Sequence, residues 1–177
     1  MASDRPSGSQ ILAATAENCT LVAVSGAATF KLAPAFKQAT QAARLAGSAL
    51  IVVDMAACPS MDSTFMGAIA SLGFALRKTE SPRFVLINLG PAAAALLKGL
   101  GVDRILKAYP AGALPAGMGD LSRLVQSLRP VEAAAPGARD MAALMYDAHE
   151  TLTRVDPENL QRFKDVLAFL REDIKRL

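Results

Sequence analysis

The hydrophobic residues of this chain follow two periods, which predict an alternation of strands and helices. Short, mostly apolar runs of about 4–8 residues are typical of buried strands. Such runs are residues 9–15, 20–25, 49–53 and 83–87, with a turn and a short strand over 101–106. Apolar residues at helical spacing predict helices over residues 31–46, 64–78, 91–100 and near 121–128. We therefore expect an α/β domain over residues 9–129, with a mixed, largely parallel sheet of about four to five strands flanked by helices.

The segments outside this domain have different patterns. Residues 1–8 are polar, and we expect them to be a disordered N-terminus. Residues 130–138 contain prolines, a glycine and an alanine run, which predict a linker. In residues 139–177 the apolar positions recur in steps of three and four on two segments, separated by Asp156-Pro157-Glu158. This pattern predicts a helical hairpin, because Asp is a good N-cap and Pro is favoured at the first helical position.

The apolar stripes of the predicted hairpin need a partner surface. A two-helix hairpin alone buries too little to be stable, and Val166 and Phe169 widen the second stripe beyond one seam. The hairpin therefore either docks on the α/β domain or contacts a second chain. Because a surplus apolar face marks a contact site, the sequence favours a homodimer through the hairpin over docking.

Composition and charge exclude several classes of protein. The chain has 177 residues, of which 52% are hydrophobic and 20% charged, with a net charge of +3, and these values exclude wholesale disorder. Lysines and arginines are scattered rather than concentrated, so we expect no nucleic-acid partner. Uncharged stretches are interrupted by Pro and Gly, and the N-terminus lacks the pattern of a signal peptide. We expect a cytoplasmic protein that does not insert into membranes.

Catalytic and metal-binding chemistry has little support in the sequence. Cys19 and Cys58 form no CxxC pair, and His149 is the only histidine, so we expect no metal site and no cofactor. No Gly-rich phosphate loop is present, and Asp54 and Asp62 are too isolated to be called a catalytic pair. We therefore expect a protein that is not an enzyme, in which His149 packs or caps near the hairpin seam.

The most informative segment follows the apolar run 49–53, where a short loop leads into Asp62-Ser63-Thr64 and directly into a helix. The carboxyl ends of strands in open α/β sheets are where ligands and partners bind. Free N–H groups and the helix dipole make this position favourable for a phosphate added to Thr64. The simpler interpretation is that Asp62 or Ser63 only caps the helix.

The same segment resembles the STAS domain, which is shared by bacterial anti-sigma factor antagonists and the cytoplasmic parts of sulfate transporters. In that family, a buried strand ends in an aspartate, here Asp54, and a motif of the type Met/Ile-Asp-Ser-Ser/Thr-Gly opens a helix. Here the motif is Met61-Asp62-Ser63-Thr64, with Phe65 in place of the family glycine. Downstream, a strand over 84–88, Pro91 and the stretch 101–106 follow in the family's order across residues 9–129.

The resemblance implies a non-enzymatic regulator that works by partner switching in bacterial signal transduction and transcription regulation. It implies that Thr64, with Ser63 as second choice, is phosphorylated by a serine/threonine kinase and restored by a PP2C-type phosphatase. The implied surface for the kinase or an anti-sigma factor is Asp62, Ser63, Thr64, Phe65 and Met66. The alternative is an unphosphorylated STAS-like scaffold or sensor subunit that assembles through the C-terminal hairpin.

Overall fold

The structure is a computed structural model that describes residues 8–80, 83–115 and 118–177. The elements in chain order are β1 (Gln10–Ala16), β2 (Cys19–Ser25), α1 (Ala33–Leu45), β3 (Leu50–Ala57), α2 (Ser63–Leu76), β4 (Arg83–Leu89), α3 (Pro91–Gly99), a 3₁₀ turn (Val102–Arg104), β5 (Lys107–Pro110), α4 (Ser122–Ser127), β6 (Arg129–Pro130), α5 (Ala138–Val155) and α6 (Asn159–Arg176). The predicted α/β class with C-terminal helices is confirmed. The N-terminus that we expect to be disordered lies outside the described residues, apart from Gly8.

The strands join in one sheet with the order β5-β4-β3-β2-β1-β6. β2, β3, β4 and β5 pair in parallel, whereas β1 pairs antiparallel with both β2 and β6. The sheet is mixed and largely parallel, as predicted, but it has 6 strands. The strand predicted within residues 101–106 is displaced, because Val102–Arg104 form a 3₁₀ turn and β5 begins at Lys107. The sixth strand is β6, which is too short to carry a hydrophobic period and which lies at the expected boundary between domain and linker.

β3 forms the centre of the sheet because its side chains are apolar on both faces. Ile51, Val52 and Val53 are fully buried. Ile51 and Val53 belong to the larger core cluster, which includes residues of α1, α2 and α3, whereas Val52 belongs to a smaller cluster with Leu124 of α4. A continuous apolar run is what a parallel strand with both faces covered requires. The arrangement brings the start of α2 to the carboxyl edge of the sheet.

The C-terminal helices form the predicted hairpin, and it packs on its own domain. α5 lies along α2, and Ala148 and Leu152 are buried there. Near the hairpin turn, the side-chain amide of Asn159 donates to the carbonyl oxygens of Leu100 at 3.0 Å and Leu152 at 2.8 Å. Docking is the alternative that the sequence favoured less. It removes the need for a homodimer to bury the α5 stripe.

α6 is covered less completely than its apolar stripe predicts. Leu167 and Leu170 are buried, but Leu160 is 55% exposed and Phe169 is 66% exposed. At about 100° per residue, Leu160 lies close to the direction of Leu167, at the N-terminal end of the stripe, whereas Phe169 lies on the opposite side of the helix, so the two exposed side chains do not form one patch. No helix in the described parts of the chain is both long enough and apolar enough to cross a membrane.

Candidate functional site

Asp62 fixes the first turn of α2 at the carboxyl edge of the sheet. Its Oδ1 accepts a hydrogen bond from the N–H of Phe65 at 2.8 Å, which is an N-cap interaction. Its Oδ2 accepts from the N–H of Phe30 at 2.7 Å, and its own N–H donates to the carbonyl oxygen of Ala28 at 2.9 Å. Asp62 therefore caps α2 and also joins it to the loop between β2 and α1.

Ser63 connects the start of α2 to the hairpin. Its Oγ lies 2.9 Å from Nε2 of His149, and Nδ1 of His149 lies 2.7 Å from the carbonyl oxygen of Met145. Because a carbonyl oxygen only accepts, Nδ1 carries a proton, and in the tautomer with that one proton Nε2 accepts from the Ser63 hydroxyl. The buried His149 ring also packs edge-on against Phe163, with ring centroids 4.9 Å apart. His149 thus packs near the hairpin seam, as the sequence analysis expects.

The residues after Ser63 are more buried than the sequence motif suggests. Thr64 is only 3% exposed. Phe65 is fully buried against Phe36, with ring centroids 5.1 Å apart, and Met66 lies in the same core cluster. The assignment of Phe65 and Met66 to the partner-binding surface is therefore corrected, because α2 turns both side chains into the domain. Asp62 and Ser63 keep partial exposure.

Small residues let α5 approach the backbone of α2 closely. A Cβ atom on Gly67 would overlap the backbone carbonyl group of Ala148. One turn further along, the hydroxyls of Ser71 and Thr151 are 3.1 Å apart, and the Arg154 guanidinium lies over the Phe74 ring at 5.4 Å from its centroid. We call the side of α2 formed by Ser63, Gly67, Ser71 and Phe74 the docking face. It is the surface on which the hairpin rests.

Asp54, the aspartate at the end of the central strand, has a structural role. Its Oδ1 accepts from the backbone N–H of Ala56 at 2.9 Å and from the side-chain amide of Asn88 at 2.8 Å. Asn88 has a left-handed backbone with φ of 56°, which asparagine tolerates better than most residues. These bonds tie the carboxyl-terminal parts of β3 and β4 together.

The loop between β3 and α2 holds a thiol that is kept protonated. Cys58 is buried, and its Sγ donates to the carbonyl oxygen of Ser60 at 3.2 Å. Burial raises the pKa of the Cys58 thiol, although hydrogen bonds with the backbone of Ala28 and Ser60 lower it in part. Because the thiolate is the reactive form, Cys58 is a packing residue of this loop at neutral pH.

Neither a metal site nor the cavity lined by the first residues of three strands lies at the start of α2 in the described part of the chain. Among residues 8–80, 83–115 and 118–177, no group of three or more His, Cys, Asp or Glu side chains is placed to hold a metal ion. A cavity of about 440 Å³ is lined by Leu50, Arg83 and Lys107, the first residues of β3, β4 and β5. That cavity lies at the amino ends of the strands, so the length of the sheet separates it from Asp62 and Ser63.

Sequence reasoning missed the docking face, although α2 carried a signal for it. Small or apolar residues surround the whole circumference of α2, and a helix of this kind is buried on both sides. Ser63, Gly67 and Ser71 recur every four residues and therefore form one stripe. That stripe lies opposite the large apolar side chains that face the sheet.

Comparison with known proteins agrees with this architecture. Residues 11–107 match the family described as Mlab, STAS domain. The crystal structure of an anti-sigma factor antagonist from Mycobacterium paratuberculosis is 25% identical, with a TM-score of 0.52 over 61% of this chain and 91% of that one. A Thermotoga maritima structure described as an anti-sigma factor antagonist is similar in fold, at 18% identity and a TM-score of 0.50 over 56% of this chain and 86% of that one. No protein of curated function has a matching sequence. The family match ends before α5 and α6.

Proposed function

Because this chain belongs to the STAS domain family, we propose that it is a non-enzymatic regulator of the anti-sigma factor antagonist type that is switched by phosphorylation. Its partner is a serine/threonine kinase or an anti-sigma factor, a PP2C-type phosphatase reverses the switch, and the protein acts in the cytoplasm. The similarity to the M. paratuberculosis antagonist over most of that protein's length supports this proposal.

The position of the two hydroxyls of Ser63 and Thr64 carries the proposal. Both residues lie in the first turn of α2, directly after the Asp62 cap. A phosphate there is stabilised by the N-terminal N–H groups and the helix dipole. It also brings about −1.5 to −2 charges beside the Asp62 carboxylate, so a partner packed against this turn is repelled. The partner surface in this proposal is Asp62, Ser63 and Thr64.

Thr64 is the acceptor in this proposal, and Ser63 is the second choice. The Thr64 side chain is buried in the described conformation, whereas the Ser63 hydroxyl is partly exposed and donates to His149. A kinase therefore needs the first turn of α2 to open before it reaches either hydroxyl in a suitable geometry. Phe65, which replaces the family glycine, does not obstruct the surface because it points into the core.

The burial of Thr64 favours one alternative, an unphosphorylated STAS-like scaffold or sensor subunit. In that case the Thr64 hydroxyl stays buried, and no phosphate is added. Assembly through a hairpin homodimer is not part of either proposal. The α5 helix already packs on the docking face of α2, and the exposed side chains of Leu160 and Phe169 do not form a single surface.

The test is the intact mass of the protein isolated from its native cell, with and without phosphatase treatment. We expect a mass difference of one phosphate, mapped to Thr64 by fragmentation. Thr64→Ala should lose the phosphate and bind the kinase constitutively, and Thr64→Glu should bind more weakly than the wild type. Ser63→Ala is the matched control and should keep the phosphate.

Two results would change the assignment. A phosphate that maps to Ser63 and survives in Thr64→Ala moves the acceptor by one residue. The second result is an unmodified mass under every growth condition, together with equal kinase binding by Thr64→Ala, Thr64→Glu and the wild type. This result contradicts the phosphorylation switch and favours the unphosphorylated scaffold.

A further inference from the structure

The docking face lies beside the proposed switch, and the hairpin covers it. Ser63 belongs to both, since it follows the Asp62 cap and also donates to His149 of α5. A partner that contacts the first turn of α2 from this side must therefore occupy the place of α5. The hairpin and the partner cannot be bound at the same time.

Several contacts between α2 and α5 are of a kind that another helix or water can replace. They include hydroxyl to imidazole at Ser63, hydroxyl to hydroxyl at Ser71, and close backbone packing at Gly67. Besides these contacts, Leu152 of α5 is fully buried in the larger core cluster, so the interface combines replaceable polar contacts with one apolar anchor. Groups that lose these bonds on separation gain equivalent bonds to water.

The polar contacts at the hairpin turn are mostly exposed. The ion pair between Arg104 and Asp156 spans 3.1 Å, but the Arg104 side chain is 67% exposed. Arg162 donates to the carbonyl oxygen of Gly99 at 3.0 Å in an exposed position. Exposed ion pairs contribute little to stability. The firm contacts of the hairpin are therefore the buried Leu152 side chain and the Asn159 amide.

The connection to β6 keeps a released hairpin close to the docking face. Val131 donates its N–H to the carbonyl oxygen of Ile11 at 2.9 Å, and the carbonyl oxygen of Glu132 accepts from Gln38 at 3.1 Å. Only the few residues between Glu132 and the start of α5 are left as a tether. A short tether gives an effective concentration in the millimolar range, so the hairpin competes strongly with a partner in solution.

We propose that the docking face binds an α-helix of the protein partner, and that α5 is a built-in competitor that must leave before the partner binds. The inference rests on the proposed function only for the partner's identity. The sequence of α5 defines the helix that fits. The partner helix has a small residue at the position where Ala148 crosses Gly67, a hydrogen-bonding residue at the position of His149, and leucine at the position of Leu152.

The first test uses the wild-type protein and hydrogen exchange. As a competitor, the hairpin opens as a unit while the sheet stays folded, so amides of α5 and α6 should exchange at least ten-fold faster than those of β3. Exchange of α5 and β3 amides at one common rate, set by global unfolding, would overturn the proposal. This measurement needs no substitution and no partner.

The second test empties the docking face without changing it. Ala148→Asp places a charge against the Gly67 backbone and should release the hairpin. Ala168→Asp is the matched control, because Ala168 is exposed on α6. The probe is a fluorescent peptide with the wild-type sequence of residues 138–177, which is free to fold as it binds. We expect it to bind full-length Ala148→Asp at least ten-fold more tightly than the wild type or Ala168→Asp.

Protease cleavage after Glu132 shows whether the hairpin of Ala148→Asp is released. If it is released and the peptide still binds all three proteins equally weakly, the docking face does not bind a helix and the proposal is contradicted. Should Ala148→Asp unfold entirely, or keep its hairpin docked, the wild-type exchange result decides. Neither experiment involves phosphate or a kinase. A failure here therefore leaves the phosphorylation proposal standing, and an unphosphorylated protein leaves the competitor proposal standing.

Discussion

Across its axis, α2 presents large apolar side chains to the sheet and, apart from Phe74, small or hydroxyl-bearing side chains to the hairpin. Phe65, Ile69 and Leu72 lie in the larger core cluster. Ser63, Gly67 and Ser71 contact α5. Burial of apolar area stabilises by about 25 cal/mol per Å², so the sheet side contributes most of the free energy that holds α2 in place.

The difference between the two sides separates permanent packing from exchangeable packing. Removing a large side chain from the sheet side leaves a cavity that nothing refills. On the hairpin side, shape and hydrogen bonds matter more than area, and both can be offered by another helix. The fold can therefore keep α2 fixed while the element above it changes.

The largest expected effect is on the sheet side. Phe65→Ala removes a fully buried ring that packs on Phe36, and should lower the free energy of unfolding by about 3–5 kcal/mol. Denaturant unfolding followed by circular dichroism measures this change. A loss of less than about 1 kcal/mol would show that this side of α2 is not the firm one.

Asp62→Ala comes next, because it removes two charge-assisted hydrogen bonds at once. The bonds to the N–H groups of Phe65 and Phe30 should together make its cost about 2 kcal/mol or more. Asp120→Ala is the control, since exposed Asp120 accepts from the N–H of Ser122 at the start of α4 and joins no other element there, and it should lower stability much less than Asp62→Ala. Equal thermal midpoints for both variants would contradict the joining role of Asp62.

Gly67→Ala probes the hairpin side directly. The added Cβ overlaps the Ala148 carbonyl group, so the hairpin should undock and become sensitive to protease, although alanine itself favours a helix by about 1 kcal/mol. Gly73→Ala is the matched control on the same helix. Its Cβ would meet Ile105 at 3.5 Å, an ordinary contact, and the hairpin should stay protected. Identical digestion patterns would mean that α5 adapts to the larger residue.

Ser63→Ala has the smallest expected effect, a loss of about 1 kcal/mol. It removes the hydroxyl that donates to His149 but leaves the Asp62 cap in place. The loss should disappear when His149 is also replaced by Ala, which a double-mutant cycle measures. Additive losses in the double variant would show that Ser63 and His149 act independently.

Much of the sheet side could be predicted from the sequence, because the spacing of hydrophobic residues determines which side chains face the core. The run 49–53 is buried as predicted, and Ile69 and Leu72 face the core. The same period also relates Phe65 to Ile69 and Leu72. The resemblance to the family motif assigns Phe65 to the partner surface, whereas the helix period places it in the core.

The hairpin side could not be predicted in the same way. The contact between Ser63 and His149 joins positions 86 residues apart, and no periodicity links them. Its geometry depends on a backbone approach at Gly67, where the informative feature is the absence of a side chain. The hairpin itself was predictable, but its choice between docking and dimerising depends on shape complementarity, which composition and spacing do not encode.

The seam between α2 and α5 carries its own spectroscopic reporter. The chain contains one histidine, and that imidazole accepts from Ser63 across the seam. Every imidazole resonance in an NMR spectrum of the unlabelled protein therefore comes from this contact and needs no assignment. Changes in its chemical shift or line width follow the local environment of the seam, including the ring of Phe163 beside it. A single native side chain thus reports whether the two helices are together in the purified protein.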